Sequence, residues 1–271
     1  MRTRLLLTGL LLSLLFGLSA CTKRVTLMPQ KPKILVVTGG HPFDEKEFFE
    51  MFDSFSGITY DRAVLPQDMD LLSPGLEKKY DAVVSYDMNH FHGKPQNEPR
   101  ITDAQRANFG KLMQTGMPLL ILHHSVGGYP KWPPYRDMAG GAYIYSGAVF
   151  LYDDLDGKSW PASESEHDID MNIMIADKDH PITLGLDDFT IHDEIYIGMY
   201  VNPKVHVLLT TDDPRATKEI AWVHHYGNSP VFTLVLGHDK QSYANENLRK
   251  LLVRGIDWLV NEKKNIVETQ Q

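Results

Sequence analysis

The sequence predicts an α/β protein with a doubly wound, mostly parallel sheet and a β-rich addition. Three features carry that prediction. Short, continuously apolar runs alternate with helical patterns through the first half, the mark of strands buried on both faces. The second half turns to strand after strand with few helices between. A long amphipathic stretch, "SYANENLRKLLVRGIDWLVNE", then closes the chain as a helix.

In order, "KILVVT" (residues 33–38) is the first strand and ends at Gly39-Gly40-His41. "DEKEFFEMFDSF" sets apolar residues at helical spacing behind an acidic first turn. "ITYDRAV" and "YDAVVSYD" read as the second and third strands. "ITDAQRANFGKLMQTG" is a helix with Thr102 as N-cap and Gly116 just past its end. "MPLLILH" is the fourth strand. "AYIYSGAVFLYD", "DIDMNIMI", "KVHVLLTT", "EIAWVHHY" and "PVFTLVLG" are the later strands. No repeat, low-complexity tract or linker divides this body, so residues 33–261 read as one domain and 262–271 as a polar tail.

At 271 residues, with 42% hydrophobic and 23% charged residues, the chain has room for a sizeable core. A formal charge of -8 without a basic cluster in the body argues against nucleic acid as a partner. The first 21 residues are a separate object. "MRTRLLLTGLLLSLLFGLSAC" has arginines, an apolar core and small residues before Cys21, as in a secretory signal, and is short for a membrane span. "LSAC" resembles a bacterial lipobox, in which lipid is attached to the cysteine, here Cys21. Plain cleavage or an uncleaved anchor is the alternative. Residues 22–32 then form a tether, and the chain is expected in the cell envelope as a membrane-anchored lipoprotein facing the periplasm. Cys21 is the one cysteine, so a lipidated chain offers no thiol for a disulfide, a cysteine–zinc site or a cysteine nucleophile.

Ligands of open α/β sheets bind beyond the carboxyl ends of the strands. Histidines gather there: His41 after the first strand, His90 and His92 after the third, His123 and His124 after the fourth, and His238 after a late one. The strands are expected to deliver imidazoles into one crevice. No nucleotide cofactor is expected, because neither a P-loop nor a G-x-G-x-x-G follows a strand.

Four segments, "LVVTGGH", "LILHHS" followed by Trp132, "DHPITLGLDDFTIHDEIY" and "AWVHHYGNSPVFTLVLGHD", together resemble the trehalose-utilisation (ThuA-like) family across residues 33–261. The resemblance implies a flavodoxin-like sheet related to class I glutamine amidotransferases, and a link to sugar catabolism. It marks His41, His123, Asp193-Glu194 and His238 as site residues. In the amidotransferases the turn at His123 carries a cysteine nucleophile. None exists here, so amide transfer by that route is excluded.

Imidazole and carboxylate are the usual ligands of catalytic zinc, so His41, His123, Glu194 and His238 are a candidate metal set. Without metal the same residues are candidates for acid–base catalysis or sugar binding. Alternation along an extended stretch lets one of Asp193 and Glu194 enter the crevice; Glu194 is preferred, with Asp193 facing solvent or capping. By the same rule His123 faces the crevice and His124 points elsewhere. Ser125 completes half of a G-x-S-x-G elbow, with His123 in place of the first glycine. It reads as bonding a ligand or a neighbouring turn more than as a nucleophile. Trp132 and Tyr135, with Tyr129 nearby, are candidates for packing on a sugar face or for capping the core. His167 is a lesser candidate, and His180 orders a turn. The expected function is an enzyme of carbohydrate catabolism, a hydrolase, isomerase or lyase acting on a sugar or keto-sugar. The rival is a sugar-binding lipoprotein without chemistry.

Overall fold

The computed structural model describes residues 31–88, 101–130, 132–145 and 160–269. Cys21, His90 and His92 lie outside the described residues. The strands are β1 (Lys33–Gly39), β2 (Thr59–Val64), β3 (Ala82–Asp87), β4 (Leu119–Leu122), β5 (Gly141–Ala142), β6 (Glu164–Ile175), β7 (Phe189–Ile197), β8 (Tyr200–Val201), β9 (His206–Thr211), β10 (Glu219–Tyr226) and β11 (Ser229–Leu234). The helices are α1 (Glu45–Asp53), α2 (Asp103–Gln114), α3 (Pro133–Ala139), α4 (Lys240–Ala244) and α5 (Glu246–Thr269).

Nine strands form one sheet in the order β2-β1-β3-β4-β11-β10-β9-β6-β7, and β5 pairs with β8 apart from it. The first five are parallel, in a flavodoxin-like order with β11 as the fifth strand. The last four run antiparallel. The β-rich addition therefore extends the sheet itself. Gly227 and Asn228 join β10 to β11, and so short a connection requires antiparallel neighbours. Of the expected strand "AYIYSGAVFLYD", the described part holds β5 alone.

Burial follows position in the sheet. Every residue of β3, β4 and β11 is buried, whereas β2 on the edge buries Ala63 alone. Consecutive residues of β11 show why. Phe232 lies so close to Gly255 of α5 that a Cβ there would sit 2.5 Å from its ring. Thr233, facing the other way, donates to the carbonyl of Ala139 in α3. Helices thus cover both faces.

The helix termini follow local chemistry. Thr102 caps α2, with a reciprocal bond from Gln105. The closing helix is interrupted at Asn245, whose side chain accepts from the N–H groups of Asn247 and Leu248 and starts α5 afresh. Past residue 261, α5 continues to Thr269, so most of the expected tail is helical. No helix of the described residues is long and apolar enough to cross a membrane.

At the end of β3, Asp87 is buried and its carboxylate accepts from the hydroxyls of Ser85 and Tyr129. Burial pushes its pKa from 3.8 up to about 6. The fold therefore holds a proton that the unfolded chain has already released. Stability falls as pH rises between these two values, by roughly 3 kcal/mol for a shift of that size. Asp87→Asn should lose that component of the slope. Urea unfolding of both proteins at about pH 4 and about pH 7 measures it; equal slopes would contradict the assignment.

Candidate active site

The carboxyl end of the parallel sheet presents the loops after β1, β3, β4 and β11. After β4 the backbone turns at once: His123 has φ 51 and opens a short 3-10 turn over His123–Gly127. A left-handed conformation at a residue other than glycine costs on the order of 1–3 kcal/mol and is kept where neighbours over-determine it. The strained residue at this elbow is thus His123, not Ser125. The Ser125 hydroxyl donates to the Asp87 carbonyl at 2.9 Å and accepts from the Asp87 N–H at 2.7 Å. It ties β4's turn to the end of β3 and is fully buried.

His123 and two partners form a small triangle. Oε2 of Glu194, from β7, lies 3.0 Å from Nε2 of His123 and 3.0 Å from Nδ1 of His238. The two imidazole nitrogens are 3.2 Å apart. Nδ1 of His123 is 2.9 Å from the carbonyl of Val235, which can only accept. The proton therefore sits on Nδ1, and Nε2 faces the carboxylate with its lone pair or with an added proton. Tyr196 does not take that lone pair. Its ring stacks on His123, with the hydroxyl 3.1 Å and 3.4 Å from the two nitrogens, over the ring face. Among the described residues, His123, Glu194 and His238 form the one group placed to hold a metal ion.

Burial alone would raise the Glu194 pKa, but hydrogen bonds from His123 and His238 outweigh it and hold the carboxyl far below its usual range. Burial alone would lower the His238 pKa, and Glu194 reverses that to a net rise. Asp193 fixes the geometry from behind. It is buried, not solvent-facing, and accepts from the N–H groups of Gly237 at 2.8 Å and of His238 and Glu194 at 2.9 Å.

His167 adds a second imidazole layer. A bulge in β6 between Glu166 and Ile169, with Asp168 at φ 58, re-aims the strand there. Nδ1 of His167 lies 3.1 Å from Nε2 of His238, and its Nε2 lies 3.8 Å from Glu194.

Of the triangle, Glu194 lines a cavity of about 160 Å³, together with His41, His124, His167 and Ser165. Tyr143, Tyr145 and Tyr196 form its aromatic part. His41 stands outside the triangle and stacks on His124 at 4.7 Å. His124 does not point elsewhere. It is buried, packs on Tyr86 at 4.2 Å and lines the cavity with His41. Strand alternation lapses at His123, where the strand has already ended. Burial lowers the pKa of both His41 and His124, so both stand neutral near pH 7.

The loop aromatics pack instead of lining this cavity. Tyr135 is buried and donates to the Ser125 carbonyl. Trp132 is half-buried against Phe109 at 5.8 Å, Tyr129 at 5.7 Å and Tyr135 at 6.2 Å. The cavity tyrosines are the residues that sequence reasoning missed. Alternation signals them: Tyr143 and Tyr145 share a face in extended chain, as do Glu194 and Tyr196 on β7.

The class this fold defines is that of doubly wound, flavodoxin-like α/β proteins, here with the parallel sheet extended by antiparallel strands. A proposed ThuA-like protein from Parabacteroides merdae superposes with a TM-score of 0.66 at 19% identity, over 85% of this chain and 90% of that one. A proposed GMP synthase protein from Thermoplasma acidophilum gives 0.51 at 12% identity, over 89% and 98%. A cytoplasmic protein of Salmonella typhimurium LT2 gives 0.53 at 11% identity, over 84% and 99%. No curated protein matches the sequence. Residues 33–259 match the model of the ThuA family, described as trehalose utilisation, and the chain belongs to that family.

The packing of Trp132 has a measurable consequence. Trp132→Ala should cost roughly 2–3 kcal/mol in urea unfolding, below the range for a fully buried Trp. Unaltered stability would contradict the packing role.

Proposed function

We propose that this ThuA-family chain is an enzyme of carbohydrate catabolism acting on a sugar or keto-sugar. Its reactive centre is His123, Glu194 and His238, which would hold a divalent cation such as zinc. The observation that carries this is the triangle. Protons can bridge each imidazole to Glu194, but they leave the third edge between two N–H groups. A cation meeting two lone pairs and a carboxylate satisfies all three edges. The Val235 carbonyl supports the same state by holding the proton of His123 on the far nitrogen.

A bound cation would act as a Lewis acid toward a sugar carbonyl or hydroxyl. Glu194, whose pKa is held so low, is a poor base and serves as an anionic partner. His41, neutral and on the cavity, is suited to accept a proton from a substrate carbon or hydroxyl. His167, whose Nδ1 lies 3.1 Å from Nε2 of His238, would accept the remaining ring proton of His238 and so orient that ligand.

Metal analysis and turnover test this together. The wild type should carry about one metal ion per chain by mass spectrometry, and His123→Ala should carry little. Its turnover of a 3-keto-glucoside should fall on the order of 10²-fold or more, with unchanged circular dichroism. Equal metal content in both proteins would remove the cation, and equal turnover would remove the whole reading.

We also propose attachment to a membrane through lipid on Cys21, supported by the sequence "LSAC". Cys21→Ser should move the protein from the membrane fraction to the soluble fraction. Retention in the membrane without lipid on the mature terminus would overturn it.

A further inference from the structure

Tyr143, Tyr145 and Tyr196 line the cavity beside Glu194. Tyr143 and Tyr145 pack on each other at 4.9 Å, and Tyr143 meets Tyr196 edge-on at 5.5 Å. Tyr196 in turn stacks on His123 at 5.2 Å. The three rings, tilted at 51° and 76° to one another, form one aromatic wall that runs from the cavity to the His123 ring. The polar groups of the same cavity adjoin it, with Ser165, Glu194, His41 and His167 in its lining.

The seat of this surface is Gly127. A Cβ there would lie 2.6 Å from the Tyr145 hydroxyl and 3.2 Å from Cβ of Tyr143. Gly127 does not sit at a positive φ, so its backbone conformation is open to other residues. What requires glycine is space. The turn that carries His123 therefore also leaves the room into which Tyr145 and Tyr143 settle. A change at Gly127 should move the tyrosines without touching the triangle's ligand atoms.

A surface of adjacent rings, edged by a hydroxyl, a carboxylate and imidazoles, matches a pyranose. One face of such a sugar is C–H and its rim is hydroxyl. In a β-glucopyranoside the axial hydrogens on carbons 1, 3 and 5 share one face, and such a face packs on aromatic rings. The volume, about 160 Å³ as bounded by the described residues, is below the roughly 300–1,000 Å³ of pockets for drug-sized ligands. It suits one ring better than a chain of them.

From the ring surface, the polar edge and the room left at Gly127, we infer that Tyr143 and Tyr145 form a substrate subsite that binds one uncharged pyranose ring by its C–H face. This inference deepens the proposed carbohydrate activity and rests on it for the choice of sugar. The subsite sets affinity, and the triangle sets turnover. The two can therefore fail separately.

The test uses the full chain and methyl β-D-glucopyranoside as the probe. Saturation-transfer NMR should show the strongest transfer to the hydrogens on carbons 1, 3 and 5. Tyr143→Ala, Tyr145→Ala and Gly127→Ala should each weaken binding by about 10-fold or more, and Tyr143→Phe, which keeps the ring, should bind nearly as the wild type. Metal content should be the same in all of them. On a 3-keto-glucoside the alanine variants should raise KM with little change in kcat, whereas His123→Ala lowers kcat. Thermal unfolding identifies any variant that fails to fold, and Tyr143→Phe keeps the comparison open in that case. Transfer spread evenly over the sugar, absent binding by the wild type, or unchanged affinity in both tyrosine-to-alanine variants would overturn the subsite. Tyrosine-dependent binding with no turnover by the wild type would keep the subsite and remove the enzymatic reading.

Discussion

The carboxylate of Glu194 between the imidazoles of His123 and His238 is the interaction on which the rest of the site depends. An ionised carboxylate with its side chain only 8% exposed is costly to bury unless it is paired. Its partners come from the ends of two parallel strands, β4 and β11, while Glu194 itself comes from the antiparallel extension. The centre thus spans the two halves of one sheet. This explains why the extension continues the sheet instead of forming a separate unit: β7 must arrive at a fixed height relative to β4 and β11. Asp193, the neighbour of Glu194 on β7, takes the backbone N–H groups of Gly237 and His238 and locks that relation from the other side.

The elbow at His123 carries the strain of the arrangement. Its left-handed backbone is held by the bonds that surround it. Val235 fixes the ring, Ser125 pins the turn to Asp87, and Tyr135 binds the Ser125 carbonyl. Trp132, Tyr129 and Phe109 pack around Tyr135 in turn. Residues that attract notice as ligand contacts thus do their work one layer below the cavity, by over-determining the turn. The strand order is flavodoxin-like, and an imidazole stands at the strained position after β4.

Much of this was legible in the sequence, for identifiable reasons. Apolar runs reveal strands, and a parallel sheet brings strand ends to one edge, so His41, His123 and His238 could be assigned to a shared crevice without knowing any distance. The ThuA resemblance added Glu194. Side-chain direction was less legible. The rule of alternation misplaces His124 because the strand ends at Leu122, and a four-residue strand gives no sequence sign of where it stops. His41 falls outside the triangle because a stretch with Gly39 and Gly40 at positive φ can turn in ways that residue type does not encode. Trp132 and Tyr135 mislead because an aromatic residue beside glycine and proline looks the same whether it covers a core or faces a ligand. The bulge that aims His167 has no signature in "ESEHDID" beyond a polar run. Tyr143 and Tyr145 had a usable signal, their spacing of two, but it lay in a stretch read as strand and not as cavity wall.

The central claim is that three ligand atoms within about 3 Å of one another are arranged around a cation and not only around protons. Anomalous diffraction at the zinc edge, from crystals of the protein as purified, tests it most directly. A single peak enclosed by Glu194 Oε2, His123 Nε2 and His238 Nδ1 is the predicted result. A map without a peak there, or with zinc held only by surface histidines such as His192 or His206, would contradict it.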